Sequence, residues 1–405
     1  MVKFLCLQSS SIFEQYGGIE YYLDDLLTII ASQPGSEIET LVPQRSRPLA
    51  LADKAYRVTP VQLERGWLFS KIANRYSPRF FRIALARARA SRPDYLLCAH
   101  ASLGPLTAAV SFFTGIPYLT IGYGIEVWDD LRWQDEWALA RSHAIVSISH
   151  WTKSCLVARG YDPERIAIAQ PHLDPRLENQ PLRPLGNGAL RLLSVSRLDA
   201  NEKYKGQDHV LCALAELRKS DPALRFEYTI QGEGSDRPRL EGCVQELGLG
   251  DCVRFVGRVP DRAQLQELYR HTDLFVLPSR YGRWHGRWRG EGFGIVYLEA
   301  AAFGVPSVAY DCGGVTDIIA SERDGVLVEP EDIWALARAL KALALNRDKI
   351  ESLGRAAHAK VNTQFTQHAI AAQWKVALEA LTTLRPGSAK AFRSPPPDAV
   401  PQPSP

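Results

Sequence analysis

The stretch Leu274–Tyr310 reads LFVLPSRYGRWHGRWRGEGFGIVYLEAAAFGVPSVAY. It opens on an apolar run, Leu274–Leu277, broken by Pro278, and closes on a second one, Ser307–Tyr310. Between them lies a helical pattern over Gly294–Phe303. Two short strands joined through a helix form a right-handed βαβ unit, which places both strands parallel in one sheet. The same alternation extends in both directions. Further strands are expected at Val2–Leu7, Ile38–Pro43, Tyr95–Ala99, Tyr118–Gly122, Ala144–Ser149 and Ile166–Ala169, then at Leu190–Ser196, Phe226–Gln231, Val253–Val256 and Val326–Val328. Helices are expected at Gly18–Ala31, Pro78–Ala90, Asp135–Arg141 and Trp151–Arg159, then at Asp208–Arg218, Arg237–Leu247 and Arg262–Arg270. The class is α/β, with parallel sheets covered on both faces.

The alternation is interrupted once, where Pro175, Pro181, Pro184, Gly186 and Gly188 mark an interdomain linker. The expected organisation is an N-terminal Rossmann-like domain over 1–174, a linker over 175–189 and a second Rossmann-like domain over 190–364. A C-terminal helix over 365–384 packs back on the N-domain, and a Pro-rich tail over 385–405 lacks the periodicity to bury a core and is expected to be disordered. Ligands of two such doubly wound domains belong at the carboxyl ends of the strands, in the cleft across which the domains face one another.

Composition narrows the function classes. The 405 residues are 46% hydrophobic and 23% charged, which excludes a disordered or fibrous chain. The formal charge is +3, so bulk charge points to no nucleic-acid partner. The seven cysteines form no Cys-x-x-Cys pair and sit largely in apolar runs, as small core residues in a reducing cytoplasm do. Residues Met1–Leu7 are strand-like and polar Gln8–Ser11 follow, so no signal peptide is expected. No run of 18 apolar residues is present to span a bilayer.

Three segments carry candidate chemistry. In the first, Glu291-Gly292-Phe293-Gly294 precedes a helix whose unpaired N–H groups favour an anion. Glu299 lies more than one turn inside it, about 10 Å from Glu291 at the helical rise per residue. That separation is too long for an acid–base pair on one bond and suits the two ends of a long ligand. The second segment is Val195-Ser196-Arg197, at the end of a strand, followed by Glu202-Lys203-Tyr204-Lys205-Gly206 before a helix. Two fixed cations and a helix start there suit a diphosphate. The third is Gly17-Gly18-Ile19-Glu20, between the first strand and first helix. Each has a plainer reading: an exposed helix glutamate, a solvated basic loop and a tight turn.

Together these segments resemble the retaining glycosyltransferases of family 4, which have the GT-B fold. The resemblance runs to about Leu384 and is sharpest in the Glu-x7-Glu motif of Glu291 and Glu299. RLDANEKYKG, VRFVGRV, LFVLPSR and the early GGIE are also similar. The resemblance implies that Glu291 contacts the donor sugar and Glu299 the ribose hydroxyls. It implies that Arg197 and Lys205 neutralise the diphosphate, helped by amides near Phe293, Gly294 and Ile295, and that Gly17 and Gly18 face the same group. On the acceptor side, Glu20, Tyr123 and Glu126 are candidates. Tyr123 stands where the family often has a histidine, when the chain is aligned on Gly124 and Glu126. Tyrosine donates one hydrogen bond and is a poor base near neutral pH. His100, His143, His150 and His172 read as surface or core residues.

The resemblance implies transfer of a hexose, with retention, from a UDP- or GDP-linked sugar to a glycan or lipid-linked acceptor hydroxyl in polysaccharide, lipopolysaccharide or glycolipid assembly. The chain has no Asp-x-Asp pair of the kind that holds a divalent metal on the diphosphate, so no metal and no other cofactor is expected. Two basic–aromatic stretches remain: Arg65–Arg92, with no acidic residue among its eight cations, and Arg280–Gly290. The first can lie on an anionic membrane surface or be a solvated helix face; the second can cover the donor, touch a lipid diphosphate or be a surface insertion. The rival readings are a nucleotide-sugar epimerase on the same fold and a non-catalytic sugar-nucleotide-binding subunit. A dinucleotide oxidoreductase is disfavoured, because Gly232-Glu233-Gly234 lacks the third fingerprint glycine.

Overall fold

The computed structural model describes residues 2–8, 18–44, 54–62, 77–128, 131–186, 188–259, 261–284 and 286–384. Gly17, the Arg65–Tyr76 part of the first basic stretch, and 385–405 lie outside the described residues.

The chain divides into two units. Among the described residues, the first comprises those up to Gln170 together with 371–384, and the second Pro171–Ile370. In the first unit the elements run β1 (Val2–Leu7), α1 (Gly18–Ser32), β2 (Ser36–Gln44), β3 (Arg57–Gln62), α2 (Pro78–Ser91), β4 (Tyr95–Cys98) and α3 (Gly104–Thr114). β5 (Tyr118–Gly122), α4 (Ile125–Trp128), α5 (Trp133–Arg141), β6 (Ala144–Ser147), α6 (His150–Ala158) and β7 (Ile166–Ile168) follow. The seven strands form one sheet in the order β3-β2-β1-β4-β5-β6-β7, and all its pairings are parallel. Phe4 sits between Ile38 and Tyr95 in register. β5 is buried along its whole length, as a central parallel strand with helices on both faces must be.

Helix α2 shows how the local sequence sets an element. Ser77 accepts a hydrogen bond from Phe80 N at 3.2 Å and Pro78 occupies the first turn. Phe80, Ala84 and Ala88 repeat every four residues and are buried, while Arg79, Arg82 and Arg89 are exposed. Strand β3 and helix α3 are absent from the sequence-based expectations. Pro60 obscures β3, which stands at the sheet edge where proline is tolerated.

The second unit runs β8 (Leu190–Val195), α7 (Gln207–Ser220), β9 (Phe226–Gln231), α8 (Arg237–Glu246), β10 (Val253–Phe255), α9 (Arg262–Arg270) and β11 (Leu274–Val276). Then come β12 (Gly282–Trp284), β13 (Arg287–Arg289), α10 (Ile295–Ala302), β14 (Ser307–Tyr310), β15 (Gly325–Val328), α11 (Ile333–Leu345), α12 (Arg347–Gln364) and α13 (Gln367–Thr383). Six strands form a parallel sheet ordered β10-β9-β8-β11-β14-β15, doubly wound about β8. Its core joins Leu192, Tyr228, Ile230, Val276 and Val308 of the strands to Leu211 and Leu214 of α7 and Leu336 and Leu340 of α11. β12 and β13 pair antiparallel as a separate hairpin, so the glycine-punctuated stretch before Glu291 has regular structure.

The division falls within α13. Its first residues belong to the second unit, where Gln367 N donates to Glu178 Oε1 at 3.0 Å. Its later ones belong to the first, where the Trp374 indole lies 5.3 Å from the Tyr22 ring and donates to Gln170 O at 3.1 Å. No described helix is long and apolar enough to cross a membrane.

Candidate active site

The second unit gathers most of the expected donor residues at the carboxyl ends of β8 and β11. After β8 the chain makes a short 3-10 segment, Ala200–Lys205, and turns into α7 through Gly206 at φ 79°. A Cβ on Gly206 would lie 2.2 Å from Pro278 O, so only glycine lets this turn rest on the end of β11. Arg280 N donates to Tyr204 O at 2.7 Å and fastens the same two segments.

This packing aims Lys205 at Glu291. Lys205 Nζ lies 2.5 Å from Glu291 Oε2, and both side chains are largely covered. The sequence reading gave these residues separate contacts, to diphosphate and to sugar; the fold pairs them. Burial opposes the charge on Lys205, but the Glu291 carboxylate, together with Tyr204 and Glu202, holds the ammonium above its ordinary pKa.

Glu291 is held by its own backbone. Gly314 N donates to Glu291 O at 2.8 Å, and a Cβ on Gly314 would come 2.1 Å from Gly292 O. The Gly313-Gly314 pair after β14 therefore forms the floor of the Glu291–Gly294 loop. The sequence reading gave that pair no role, although a Gly-Gly after an apolar strand was the available signal. Gly294, at φ 101°, precedes the first residue of α10, and no side chain caps that helix. Its first amides are available to an anion beside Lys205. Phe293 is buried against Phe365, with ring centroids 6.2 Å apart, and Ile295 is half-buried at the helix start.

Glu299 occupies the next turns of α10, where Oε2 accepts a hydrogen bond from Tyr269 Oη at 3.0 Å. Burial raises its pKa, with the Tyr269 bond and the charge of Arg262 opposing. Tyr269, stacked at 5.7 Å on Phe303, was missed by sequence reasoning because it belongs to the ordinary apolar face of α9. Arg197, by contrast, is exposed and ion-paired with Glu202 on the adjoining turn. Arg280, read only as part of a basic loop, turns inward: Nη2 donates to Lys203 O at 2.5 Å and Nη1 to His209 Nε2 at 3.0 Å. Burial and the Arg280 charge lower the pKa of His209.

The acceptor-side candidates belong to the first unit. Tyr123 is buried and its hydroxyl donates to Ala99 O at 2.9 Å, so the phenol is engaged by the backbone. The His100 ring stacks on it at 5.9 Å and the Tyr22 ring meets it edge-on at 5.5 Å. His100 thus adjoins the position that Tyr123 fills. Glu126 lies in the first turn of α4 and accepts from Tyr123 N at 2.5 Å. Burial lifts its carboxyl to a pKa of about 7, against backbone N–H bonds that lower it. Glu20 is half-buried in the first turn of α1, and Gly18 is exposed at its start. Among the described residues, no three His, Cys, Asp or Glu side chains gather as a cation site.

Residues 16–177 match the family Glycosyltransferase Family 4. Residues 183–360 match the family Glycosyl transferases group 1. The amylovoran biosynthesis glycosyltransferase AmsK of Erwinia amylovora is 31% identical over 242 residues, 60% of this chain and 57% of AmsK. The chain thus spans about half the length, or less, of the curated relatives it matches. Among solved structures, sucrose-phosphate synthase from Thermosynechococcus elongatus has a TM-score of 0.74 at 20% identity, covering 94% of this chain and 99% of that one. Anabaena HepE in complex with UDP-glucose has a TM-score of 0.67 at 19% identity, covering 94% and 100%. These likenesses identify the fold as GT-B, and with the two matched families covering most of its length the chain belongs to the family 4, group 1 glycosyltransferases.

Proposed function

We propose that the protein transfers a hexose, with retention, from a nucleotide-diphosphate sugar to an acceptor hydroxyl in cell-surface polysaccharide or glycolipid assembly. The observation that carries this reading is the Lys205–Glu291 pair beside the uncapped amides of α10. A cation, a helix start and a carboxylate in one place match a sugar joined to a diphosphate. The diphosphate takes Lys205 and the amides near Phe293, Gly294 and Ile295, freeing the Glu291 carboxylate for the sugar hydroxyls. Glu299 holds the ribose. Arg197 leaves Glu202 to meet the diphosphate, which its exposure permits.

As the bond between the sugar's anomeric carbon and the phosphate oxygen breaks, the acceptor oxygen bonds to that carbon on the same face. The departing phosphate oxygen takes the acceptor proton. This route needs no protein base, in keeping with a Tyr123 hydroxyl already donated to the backbone. Lys205 and Arg197 offset the leaving charge, and no divalent metal is assigned. The base of the donor is uracil or guanine; the HepE complex with UDP-glucose favours uracil. The acceptor is a glycan or lipid-linked sugar, as the likeness to an amylovoran biosynthesis glycosyltransferase supports. We assign the reaction to the cytoplasm, a reading that the seven free cysteines support, and to the membrane surface when the acceptor is lipid-linked.

Thermal shift against UDP-glucose, UDP-N-acetylglucosamine and GDP-mannose tests the donor. A true donor at a hundredfold its Kd stabilises by about 2.7 kcal/mol. If none of the three raises the melting temperature, the donor assignment fails. The anomeric configuration of the product, read by NMR, tests retention.

A further inference from the structure

Large apolar side chains exposed singly, such as Trp334 and Leu345 at the two ends of α11, are ordinary on a protein surface. The first unit carries something different. Phe112, at the end of α3, is 82% exposed, and its neighbour Phe113 is exposed beside it, with ring centroids 5.4 Å apart. Phe113 also meets Phe81 of α2 at 6.1 Å. On α5, Trp133 is 74% exposed and Trp137, one turn on, is exposed as well. These helices form one layer: α3 packs against α2 on one side and against α5 on the other, where Gly104 faces Ala138.

The charge on this layer is one-sided. Helices α2 and α3 contain no carboxylate. The two acids of α5 are satisfied from within the unit, Asp135 by Arg132 and Glu136 by Arg159 and Tyr161. Arg82 and Arg89 are exposed on α2, and the Arg141 guanidinium lies 4.3 Å over the Trp137 ring, an aromatic–cation pairing suited to an interface that is half wet.

We propose that the outer face of the α2–α3–α5 layer docks on an anionic lipid bilayer. The phenyl and indole rings enter the headgroup–acyl boundary while Arg82, Arg89 and Arg141 remain among the phosphates. Charge selects this occupant over a second copy of the chain, because a two-fold pairing of the face would set its arginines against their own symmetry mates. The inference rests on the proposed function only in that a lipid-linked acceptor makes the location useful. The experiment requires no sugar nucleotide, so the two readings fail separately.

The test is co-sedimentation of the full chain with vesicles of phosphatidylcholine and phosphatidylglycerol, and with phosphatidylcholine alone. The chain is expected to pellet with the mixed vesicles, to bind phosphatidylcholine weakly and to be released by added salt. The Phe112→Ser/Phe113→Ser variant should lose about tenfold or more in partitioning. Arg82→Glu/Arg89→Glu should lose at least as much on the mixed vesicles. All four side chains are exposed, so circular dichroism and melting temperature should match the parent. No binding to either vesicle, or binding that survives in both variants, overturns the proposal. Concentration-dependent dimerisation abolished by the phenylalanine variant, without vesicle binding, overturns it in favour of a second copy.

Discussion

Lys205 Nζ and Glu291 Oε2 lie 2.5 Å apart although 86 residues separate them in the chain. The pair joins the turn before α7 to the loop before α10. It keeps two groups of opposite charge together where the proposed donor presents both an anion and hydroxyls. Its stability signature is separable from its role in turnover. Lys205→Met strands a covered carboxylate and should cost about 2–4 kcal/mol. Adding Glu291→Gln should recover at least about 1 kcal/mol of that loss without restoring transfer. Denaturant unfolding of the parent, both single variants and the double variant measures the coupling; strictly additive losses would show that the pair is not energetically joined.

The glycine floor of the loop gives a steric prediction. Gly314→Ala places a Cβ 2.1 Å from Gly292 O and must displace the backbone that carries Glu291. A loss of about 2–4 kcal/mol and of most transferase activity is expected. Gly242→Ala, inside α8 where the new Cβ meets nothing within 4 Å, should be neutral or stabilise by about 0.5–1 kcal/mol. Equal melting temperatures for the two variants would refute this account of the loop.

Glu126 makes stability depend on pH. Its folded pKa of about 7 exceeds the ordinary 4.5, so the folded protein binds the proton more tightly than the unfolded chain. Stability contributed by this group is complete below about pH 4.5 and declines as pH rises toward 7. The loss reaches about 3 kcal/mol at most. Glu126→Gln lacks this decline, so its stability relative to the parent should improve from pH 5 to pH 8 by an amount of that order. A constant difference across that range would contradict it.

How much of this was legible in the sequence differs from residue to residue. The central strands of both sheets are buried on two faces, so they announce themselves as short apolar runs, and Leu274–Leu277 or Tyr118–Gly122 needed no further context. Edge strand β3 lacks that signal because Pro60 and charged Arg57 are tolerated where one side of the ladder is open. Helix α3 opens on Gly104-Pro105, which reads as a turn, and its exposed end bears Phe112 and Phe113 in place of polar residues. The Glu291–Gly294 loop could be placed before a helix from its glycines. That Lys205 pairs with Glu291, that Tyr269 holds Glu299 and that the Tyr123 hydroxyl is engaged by Ala99 follow from packing between distant segments, which no local pattern encodes.

Tyr269 also tunes the site. Its hydroxyl donates to Glu299 and favours the ionised carboxylate, while burial raises the pKa. Tyr269→Phe removes a stabiliser of the charged form, so the pKa of Glu299 should rise further. If the ionised carboxylate binds ribose, the acid-side increase in donor KM should move to higher pH in that variant, with kcat little affected. A KM profile identical to the parent's would sever Glu299 from donor binding.

The most direct measurement is the steady-state kinetics of Glu291→Gln and Glu299→Gln side by side with one donor. Glu299 is assigned to hydroxyls remote from the reacting carbon, and that contact is the same in the ground and transition states; Glu299→Gln should raise the donor KM more than it lowers kcat. Glu291 is assigned to the sugar, near the charge that develops as the bond breaks, so Glu291→Gln should chiefly lower kcat. Glu299→Gln should melt within a few degrees of the parent, while Glu291→Gln, which leaves the covered Lys205 ammonium without its partner, should melt lower but remain folded. Parent-like kinetics in both variants, across every sugar nucleotide that the parent accepts, would contradict the account and reduce the motif to a structural loop and helix.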